Sequence, residues 1–341
     1  MWRAHAAPSG VSALRNVPWP ADHGGKGRLT LAAGIICLFP GQGAQRVGMG
    51  RDLAERFPRA RQVFEEVDDA LGFALSRVCF EGPAETLALT EHAQPALLAC
   101  SVAAYRIARE CVDLEPVAMA GHSLGEWSAL VAAGALTLRD AAVGVRMRGR
   151  LMQDAVPIGV GAMAAIMGLD AATVYALCER HAQGEIVAPA NLNGAGQVVV
   201  AGHRGAVERV AGGARELRAK VQMLPVSAPF HCALMAPAAE GVGRFLDGIA
   251  IAPPGAPVYT SVEAQLVTDP DDIRRLLRAQ VTAPVCWEDT MRVIGALPAR
   301  LAAEFGAGRT LAALWKRVVE TPAALPVGDP EGVQALREAA A

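Results

Sequence analysis

Apolar residues along the chain form short continuous runs that alternate with longer segments at helical spacing. Ile35–Phe39 predicts a buried first strand, and the run 117–120 predicts another. Between them, residues 52–71 predict a helix with Asp52 as its N-cap, and residues 95–112 predict a more buried helix. This alternation of strands and helices is typical of an α/β protein.

The pattern changes after residue 160. The predicted elements there are a strand at 162–167, a helix at 171–181, strands at 186–192 and 197–201, a helix at 205–219 and a strand at 221–226. The order β-α-β-β-α-β predicts a ferredoxin-like unit inserted into a larger domain. Beyond it, the larger domain resumes with predicted elements at 257–262, 271–280, 287–294, 301–305 and 309–319.

We therefore expect an α/β-hydrolase-like large domain with an inserted ferredoxin-like subdomain. The large domain is predicted to be discontinuous, over residues 30–159 and 228–320, with the subdomain at 160–227. Residues 1–29 lack periodicity and are interpreted as a disordered extension or as a start placed too early. Residues 321–341 are interpreted as a C-terminal tail.

Composition and charge exclude several classes of protein. The 341 residues are 52% hydrophobic with a net charge of −2, and the charges are interspersed, so we expect no nucleic-acid partner and no membrane partner. The apolar stretch after the basic N-terminal residues is too short to span a bilayer, and no cleavage site follows it. The seven cysteines are isolated and odd in number, which favours reduced thiols in a cytoplasmic protein over a zinc site or a disulfide framework.

The segment 117–135 carries the strongest chemical signal. Its predicted strand runs into Gly121-His122-Ser123-Leu124-Gly125 and then into an Ala/Leu-rich helix, which is the strand–turn–helix setting of a nucleophile elbow. The two glycines permit close passage of strand and helix, and Ser123 is expected to expose its hydroxyl. The Leu124 N–H at the helix start is a candidate oxyanion donor. A solvated turn is the alternative for an isolated match of this kind.

Ser123 needs a base, which is usually a histidine. Of the seven histidines, His231 follows Pro229-Phe230 at a domain junction and comes after the serine, as in α/β hydrolases. His122 adjoins the nucleophile and is more suited to supporting the elbow. A buried, structural role for His231 remains the alternative.

No acid between the serine and the histidine lies at a predicted strand end of the main sheet. This absence counts against an ordinary esterase and suggests a Ser–His dyad oriented by a backbone carbonyl. Arg146, Arg148 and Arg150 share the helix predicted over 138–156, but alternate positions cannot share one helix face. An arginine beside the serine would select acyl groups with a free carboxylate. From the residues alone, three solvated arginines remain the alternative.

Several ordered motifs together resemble the malonyl-CoA:acyl carrier protein transacylase family, which acts in bacterial fatty-acid synthesis and in polyketide synthases. The resemblance covers about residues 35–320 and rests on Gly-Gln-Gly at 41–43, Gly-His-Ser-Leu-Gly at 121–125, Met-Arg-Gly at 147–149 and Phe-His-Cys-Ala-Leu-Met at 230–235. It implies malonyl transfer from malonyl-CoA to the phosphopantetheine thiol of acyl carrier protein, through a malonyl-serine, with no metal and no cofactor.

The resemblance also implies a role for each residue of the site. These roles are catalysis by Ser123 and His231, an oxyanion hole from the N–H groups of Gln42 and Leu124, binding of the malonyl carboxylate by Arg148, orientation of the histidine by the Gln280 carbonyl, and an acyl pocket that includes His122, Phe230 and Met152. Phe230 resembles the malonyl-selecting form, in which bulk beside the histidine excludes an α-methyl group.

Three alternatives remain open at this stage. The same transfer could serve polyketide assembly or a malonate decarboxylase. A serine thioesterase would release free malonate, and a non-catalytic carrier-binding scaffold would not need Ser123, His231 and Arg148 together.

Overall fold

The computed structural model describes the backbone of residues 29–30 and the whole of residues 34–226 and 228–341. The strands are β1 Leu29–Thr30, β2 Ile35–Phe39, β3 Val112–Asp113, β4 Pro116–Gly121, β5 Gly161–Met167, β6 Val187–Gly194, β7 Gln197–His203, β8 Lys220–Met223, β9 Val258–Tyr259, β10 Leu266–Val267, β11 Leu301–Phe305 and β12 Ala324–Val327. The fold is a mixed α/β protein with a parallel sheet, which confirms the predicted α/β class.

Helices cover both faces of the sheet. They are α1 Arg51–Arg56, α2 Pro58–Leu71, α3 Leu75–Glu81, α4 Ala84–Ala88, α5 Thr90–Cys111, α6 Leu124–Ala132, α7 Leu138–Asp154, α8 Ala171–His181, α9 Arg204–Glu216, α10 Ala236–Asp247, α11 Pro270–Ala279, α12 Trp287–Gly295, α13 Thr310–Val318 and α14 Pro330–Ala340. In the part of the chain that the structure describes, none of these helices is long and apolar enough to cross a membrane.

The main sheet has six strands in the order β10-β9-β4-β2-β11-β12. All neighbours pair in parallel except β10, which is antiparallel to β9. Because side chains alternate along β2, Ile35, Cys37 and Phe39 join one apolar core, whereas Ile36 and Leu38 join the core on the opposite face. Burial on both faces explains why the sequence of β2 is continuously apolar.

The second sheet has four antiparallel strands in the order β6-β7-β5-β8. Helices α8 and α9 pack on one of its faces, where Val174, Val207 and Val210 are buried. Residues on its other face, including Met163 and Val199, belong to the core of the main sheet. The two sheets therefore contribute to one continuous apolar core.

The helix predicted over 52–71 differs in detail from the structure. The predicted helix 52–71 is two helices, because Pro58 at the start of α2 disfavours helical backbone at Phe57, which is extended. Asp52 lies in the first turn of α1, and Gly50 occupies the cap position instead. Thr137 caps α7, since its side chain accepts a hydrogen bond from the Asp140 N–H at 3.0 Å.

The interpretation of residues 321–341 as a tail is wrong. Strand β12 extends the main sheet by pairing in parallel with β11, and α14 buries Val333 and Leu336 in the core. The short segment Ala324–Val327 contains a proline, which disfavours the prediction of a strand from the sequence. Asp329 caps α14 by accepting from the Gly332 N–H at 2.8 Å.

The predicted extension, residues 1–29, lies outside the described residues except at its last position. Leu29 pairs in parallel with Val112 in a two-stranded sheet, so the boundary of the predicted extension is too late by at least one residue.

The packing of β2, β4 and α6 generates a stability prediction at Gly125. A Cβ atom there would lie 1.9 Å from the Phe39 carbonyl oxygen, which belongs to the sheet backbone and cannot rotate away. Gly125→Ala is therefore expected to destabilise the fold by about 3 kcal/mol or more, measured as a lower denaturation midpoint.

The matched control is Gly212→Ala within α9, where a Cβ atom would meet no atom within 4 Å. Because alanine is the better helix former, this variant should gain about 0.5–1 kcal/mol. Equal stabilities for the two variants would contradict the packing argument.

Candidate active site

Ser123 lies in the turn between β4 and α6, with φ 52° and ψ −109°. A positive φ is unfavourable for serine, so the surrounding packing must hold this conformation. Gly121 permits it, because a Cβ atom at Gly121 would lie 1.9 Å from the Gly125 carbonyl carbon. The turn therefore has the backbone geometry expected of a nucleophile elbow.

His231 meets Ser123 from the segment that follows the second sheet. Its Nε2 lies 2.8 Å from Ser123 Oγ, and its Nδ1 lies 2.8 Å from the Gln280 carbonyl oxygen. Since a carbonyl only accepts, the proton is on Nδ1, and Nε2 is free to accept the serine proton. The structure thus brings together the two residues that the sequence singled out as nucleophile and base.

Burial and the Arg148 charge keep the imidazole neutral. Burial, followed by the positive charge of Arg148, lowers the pKa of His231 to about 3, against the opposing effect of the Gln280 carbonyl. A neutral imidazole is the form that can take a proton from serine.

Arg148 is the buried cation of the site, and only 1% of it is exposed. Its Nη1 donates to Gln94 Oε1 at 2.8 Å, and its Nη2 donates to Gln280 Oε1 at 2.9 Å and to Ser123 Oγ at 3.0 Å. Its Nε has no acceptor in the part of the chain that the structure describes. Burial lowers the pKa of Arg148 to about 10, so the guanidinium is charged at neutral pH.

The two neighbouring arginines lie elsewhere, as the helical spacing predicts. Arg146 pairs with Glu91 at 3.8 Å and stacks over the Phe73 ring, while Arg150 pairs with Asp154 at 3.7 Å on the surface. Arg148 alone of the three reaches the serine.

The glycine-rich loop after β2 lies against the elbow. A Cβ atom at Gly41 would lie 2.5 Å from the His122 carbonyl oxygen, so the loop backbone passes very close to the turn. Gln42 follows immediately, and its Oε1 accepts from Gln94 Nε2 at 3.2 Å. Leu124 starts α6, where the first N–H groups of a helix have no acceptor within the helix.

The three predicted pocket residues differ in their surroundings. Phe230 is 8% exposed and directly precedes His231, and Met152 is buried one helical turn after Arg148. The His122 ring is held by two neighbours, since its Nε2 contacts Asn193 Oδ1 at 2.9 Å and its ring packs edge-on against Trp287.

Sequence reasoning missed three side chains around Arg148 and Gln280. Gln94 holds Arg148 and Gln42, while Glu126 accepts hydrogen bonds from Ser261 and Gln280. The available signal was a polar side chain next to apolar residues, at Gln94 directly before the apolar run 95–100 of α5 and at Glu126 near the start of α6.

This arrangement can activate a serine and can bind an acyl group that carries a negative charge. Gln280 is fully buried and touches the dyad through its carbonyl and Arg148 through its side chain. Among the described residues, no group of three His, Cys, Asp or Glu side chains could hold a metal ion.

Comparison with known proteins assigns the family. The acyl transferase domain model matches residues 36–304. Malonyl CoA-acyl carrier protein transacylase of Escherichia coli K12 is 44% identical over 302 residues, which are 88% of this chain and 98% of that protein. The Bacillus subtilis 168 protein of the same name is 43% identical over 310 residues, which are 89% of this chain and 98% of that protein.

Solved structures agree with this assignment. The malonyl CoA-acyl carrier protein transacylase of Coxiella burnetii has a TM-score of 0.88 at 38% identity, covering 91% of this chain and 98% of that chain. A malonyl-transacylase in complex with a type II polyketide synthase acyl-carrier protein has a TM-score of 0.87 at 43% identity. The match covers 89% of this chain and 99% of that chain. The chain belongs to the acyl transferase domain family.

Proposed function

We propose that the protein transfers the malonyl group from malonyl-CoA to the phosphopantetheine thiol of acyl carrier protein and so supplies fatty acid synthesis. The observation that carries the proposal is the buried guanidinium of Arg148, 3.0 Å from the oxygen of the candidate nucleophile. The relatives named malonyl CoA-acyl carrier protein transacylase support the choice of acyl donor and acceptor.

Acylation starts at Ser123. His231 Nε2 takes the hydroxyl proton while Oγ attacks the thioester carbonyl carbon, and the carbonyl electron pair moves onto oxygen. The N–H groups of Gln42 and Leu124 are proposed to donate to this oxyanion. The intermediate collapses to malonyl-serine, the C–S bond breaks, and the coenzyme A thiol leaves with the proton from His231.

Transfer repeats these steps with the carrier thiol. His231 takes the thiol proton, the thiolate attacks the malonyl-serine ester, and Ser123 leaves with that proton. The Gln280 carbonyl keeps the imidazole in the required tautomer by accepting from Nδ1 at 2.8 Å. A backbone carbonyl thus takes the orienting role that an acid has in ordinary serine hydrolases.

The malonyl carboxylate is proposed to bind Arg148. Because a guanidinium presents several N–H donors in one plane, it can hold a carboxylate through two of them. The Nε–H is a buried donor with no acceptor among the described residues, and an entering carboxylate would satisfy it. His122, Phe230 and Met152 are proposed to form the walls of this acyl pocket, with Phe230 restricting α-substituted acyl groups.

The finer description of the fold is part of the proposal. We assign an α/β-hydrolase-like catalytic domain to residues 29–159 and 228–340, where Leu29 is included because it pairs with Val112, and a ferredoxin-like subdomain to residues 160–227. The strand order β6-β7-β5-β8 supports the second assignment, and the packing of α14 supports extending the first beyond residue 320. A cytoplasmic location, with no resident cofactor, is consistent with this chemistry.

The same transfer in polyketide assembly is a second candidate, favoured by the relative solved with a type II polyketide synthase carrier. Comparing kcat/KM for carrier proteins encoded beside this gene with kcat/KM for the fatty-acid carrier would separate the two pathways. A thioesterase would instead release free malonate at the rate of coenzyme A release.

Ser123→Ala is expected to abolish both the malonyl-enzyme adduct and malonyl transfer to carrier, because it removes the hydroxyl that lies 2.8 Å from His231 Nε2. Intact-mass analysis after mixing with malonyl-CoA measures the adduct directly. An adduct persisting in the variant would contradict the assigned nucleophile.

Arg148→Ala is expected to lose malonyl transfer by about ten- to a hundredfold, since charge-assisted hydrogen bonds contribute about 1.5–3 kcal/mol. Acetyl transfer should be retained or should rise, because the variant no longer leaves a buried charge facing a neutral methyl group. The control is Arg150→Ala, whose side chain is on the surface. Parallel losses of malonyl and acetyl transfer in Arg148→Ala would make the arginine structural.

The pH dependence follows from the lowered pKa of His231. Because the folded pKa is about 3, the base is unprotonated throughout the range above it, and modification of Ser123 by a sulfonyl fluoride should show no acid limb near pH 6.5.

The free energy of unfolding should fall as pH decreases from about 6.5 toward 3, because His231 binds a proton in the unfolded protein that it excludes in the folded protein.

Arg148→Met removes a nearby positive charge and should move the acid limb of this profile to higher pH. Arg150→Met is the matched control and should leave it unchanged. An acid limb near pH 6.5 in the wild type would contradict the electrostatic account.

A further inference from the structure

Glu126 is a buried acid that the reaction steps above do not use. It lies on α6, three residues after Ser123, and is 1% exposed. A carboxylate is costly to bury without donors or a counter-charge. Its position beside the site therefore calls for a physical explanation.

Three donors converge on one oxygen of this side chain. Glu126 Oε2 accepts from the Ser261 N–H at 3.0 Å, from Ser261 Oγ at 2.6 Å and from Gln280 Nε2 at 2.8 Å. Burial raises the pKa of Glu126, while the hydrogen bonds of Ser261 and Gln280 and the charge of Arg148 oppose that rise. The donors and the Arg148 charge offset part of the cost of burying the ionised form.

The Gln280 side chain connects this acid to Arg148. Its Nε2 donates to Glu126 Oε2, and its Oε1 accepts from Arg148 Nη2 at 2.9 Å. Since a carboxylate oxygen accepts and a guanidinium only donates, the amide has a single favourable orientation between them. The Gln280 backbone carbonyl is, in turn, the acceptor for His231 Nδ1.

We propose that Glu126 is a positioning residue for malonyl transfer. Its carboxylate fixes the Gln280 amide in the orientation that holds Arg148 beside Ser123, and it balances the Arg148 charge inside the protein. This inference rests on the proposed function where malonyl transfer is the readout, but the coupling between the two charges can be measured without any activity.

Glu126→Gln removes the charge and introduces an amide that has its own donors. The Gln280 amide nitrogen then loses its charged acceptor and keeps only the longer contacts with the Ser123 carbonyl oxygen at 3.2 Å and Ser261 Oγ at 3.3 Å. Arg148 becomes the unbalanced charge of the cluster. Single-turnover acylation of Ser123 by malonyl-CoA is expected to fall by about tenfold in this variant.

A double-mutant cycle with Arg148→Ala tests this mechanism. If Glu126 acts through Arg148, Glu126→Gln should lower acylation less than about threefold in the Arg148→Ala background. A merely structural role predicts the same fold loss in both backgrounds, which would overturn the proposal.

The melting temperatures of the four proteins give the second readout. Arg148→Ala leaves Glu126 as a buried charge without its counter-charge and should melt below the wild type. Adding Glu126→Gln should then raise the melting temperature above that of Arg148→Ala. Additive losses would overturn the charge pairing even if the wild type transferred no malonyl group, an outcome that would separately refute the proposed function.

Glu304→Gln is the matched control, because Glu304 is a fully buried acid whose Oε2 accepts from the Ala312 N–H at 2.8 Å, outside this network. The effect of Glu304→Gln on melting temperature should be equal in both backgrounds.

If Glu126→Gln does not fold, Ser261→Ala replaces it, since Ser261→Ala removes one hydrogen-bond donor to Glu126 and keeps the Glu126 charge. A few-fold loss of acylation only when Arg148 is present supports the proposal, and equal losses in both backgrounds overturn it.

Discussion

The buried positive charge of Arg148 is the constraint on which the rest of the site depends. Its hydrogen-bond acceptors are the side-chain oxygens of Gln94, Gln280 and Ser123, none of which is charged. Neutral acceptors satisfy individual N–H groups, and the carboxylate of Glu126 reaches Arg148 only through the Gln280 amide, so no counter-ion touches the guanidinium directly. The site therefore favours an acyl group with its own carboxylate, and the same charge helps to keep His231 neutral.

Gln280 connects Arg148 to the other residues of the active site. Its backbone carbonyl orients His231, and its side chain contacts Arg148 and Glu126. One residue therefore couples the base to the group proposed to bind the malonyl carboxylate. The Gln280 carbonyl on Nδ1 explains how a Ser–His pair can work without an acid directly on the imidazole.

Local sequence rules predict the elbow and the base well, because a glycine-flanked serine between a strand and a helix has few alternative geometries. Arg148 could be chosen among three arginines only through the family resemblance, since helical spacing separates their faces without saying which face is buried. Glu126 contacts Ser261 from 135 residues away, and Gln280 contacts Arg148 from 132 residues away. Such contacts depend on tertiary packing and leave no local pattern.

The most direct test of the account follows coenzyme A release from the wild-type protein mixed with malonyl-CoA alone. Covalent transfer through Ser123 predicts a rapid burst of about one coenzyme A per active site, which then stops until phosphopantetheinylated carrier protein is added. Continuous release with free malonate would identify a hydrolase. Release that requires the carrier from the start would contradict a malonyl-serine intermediate.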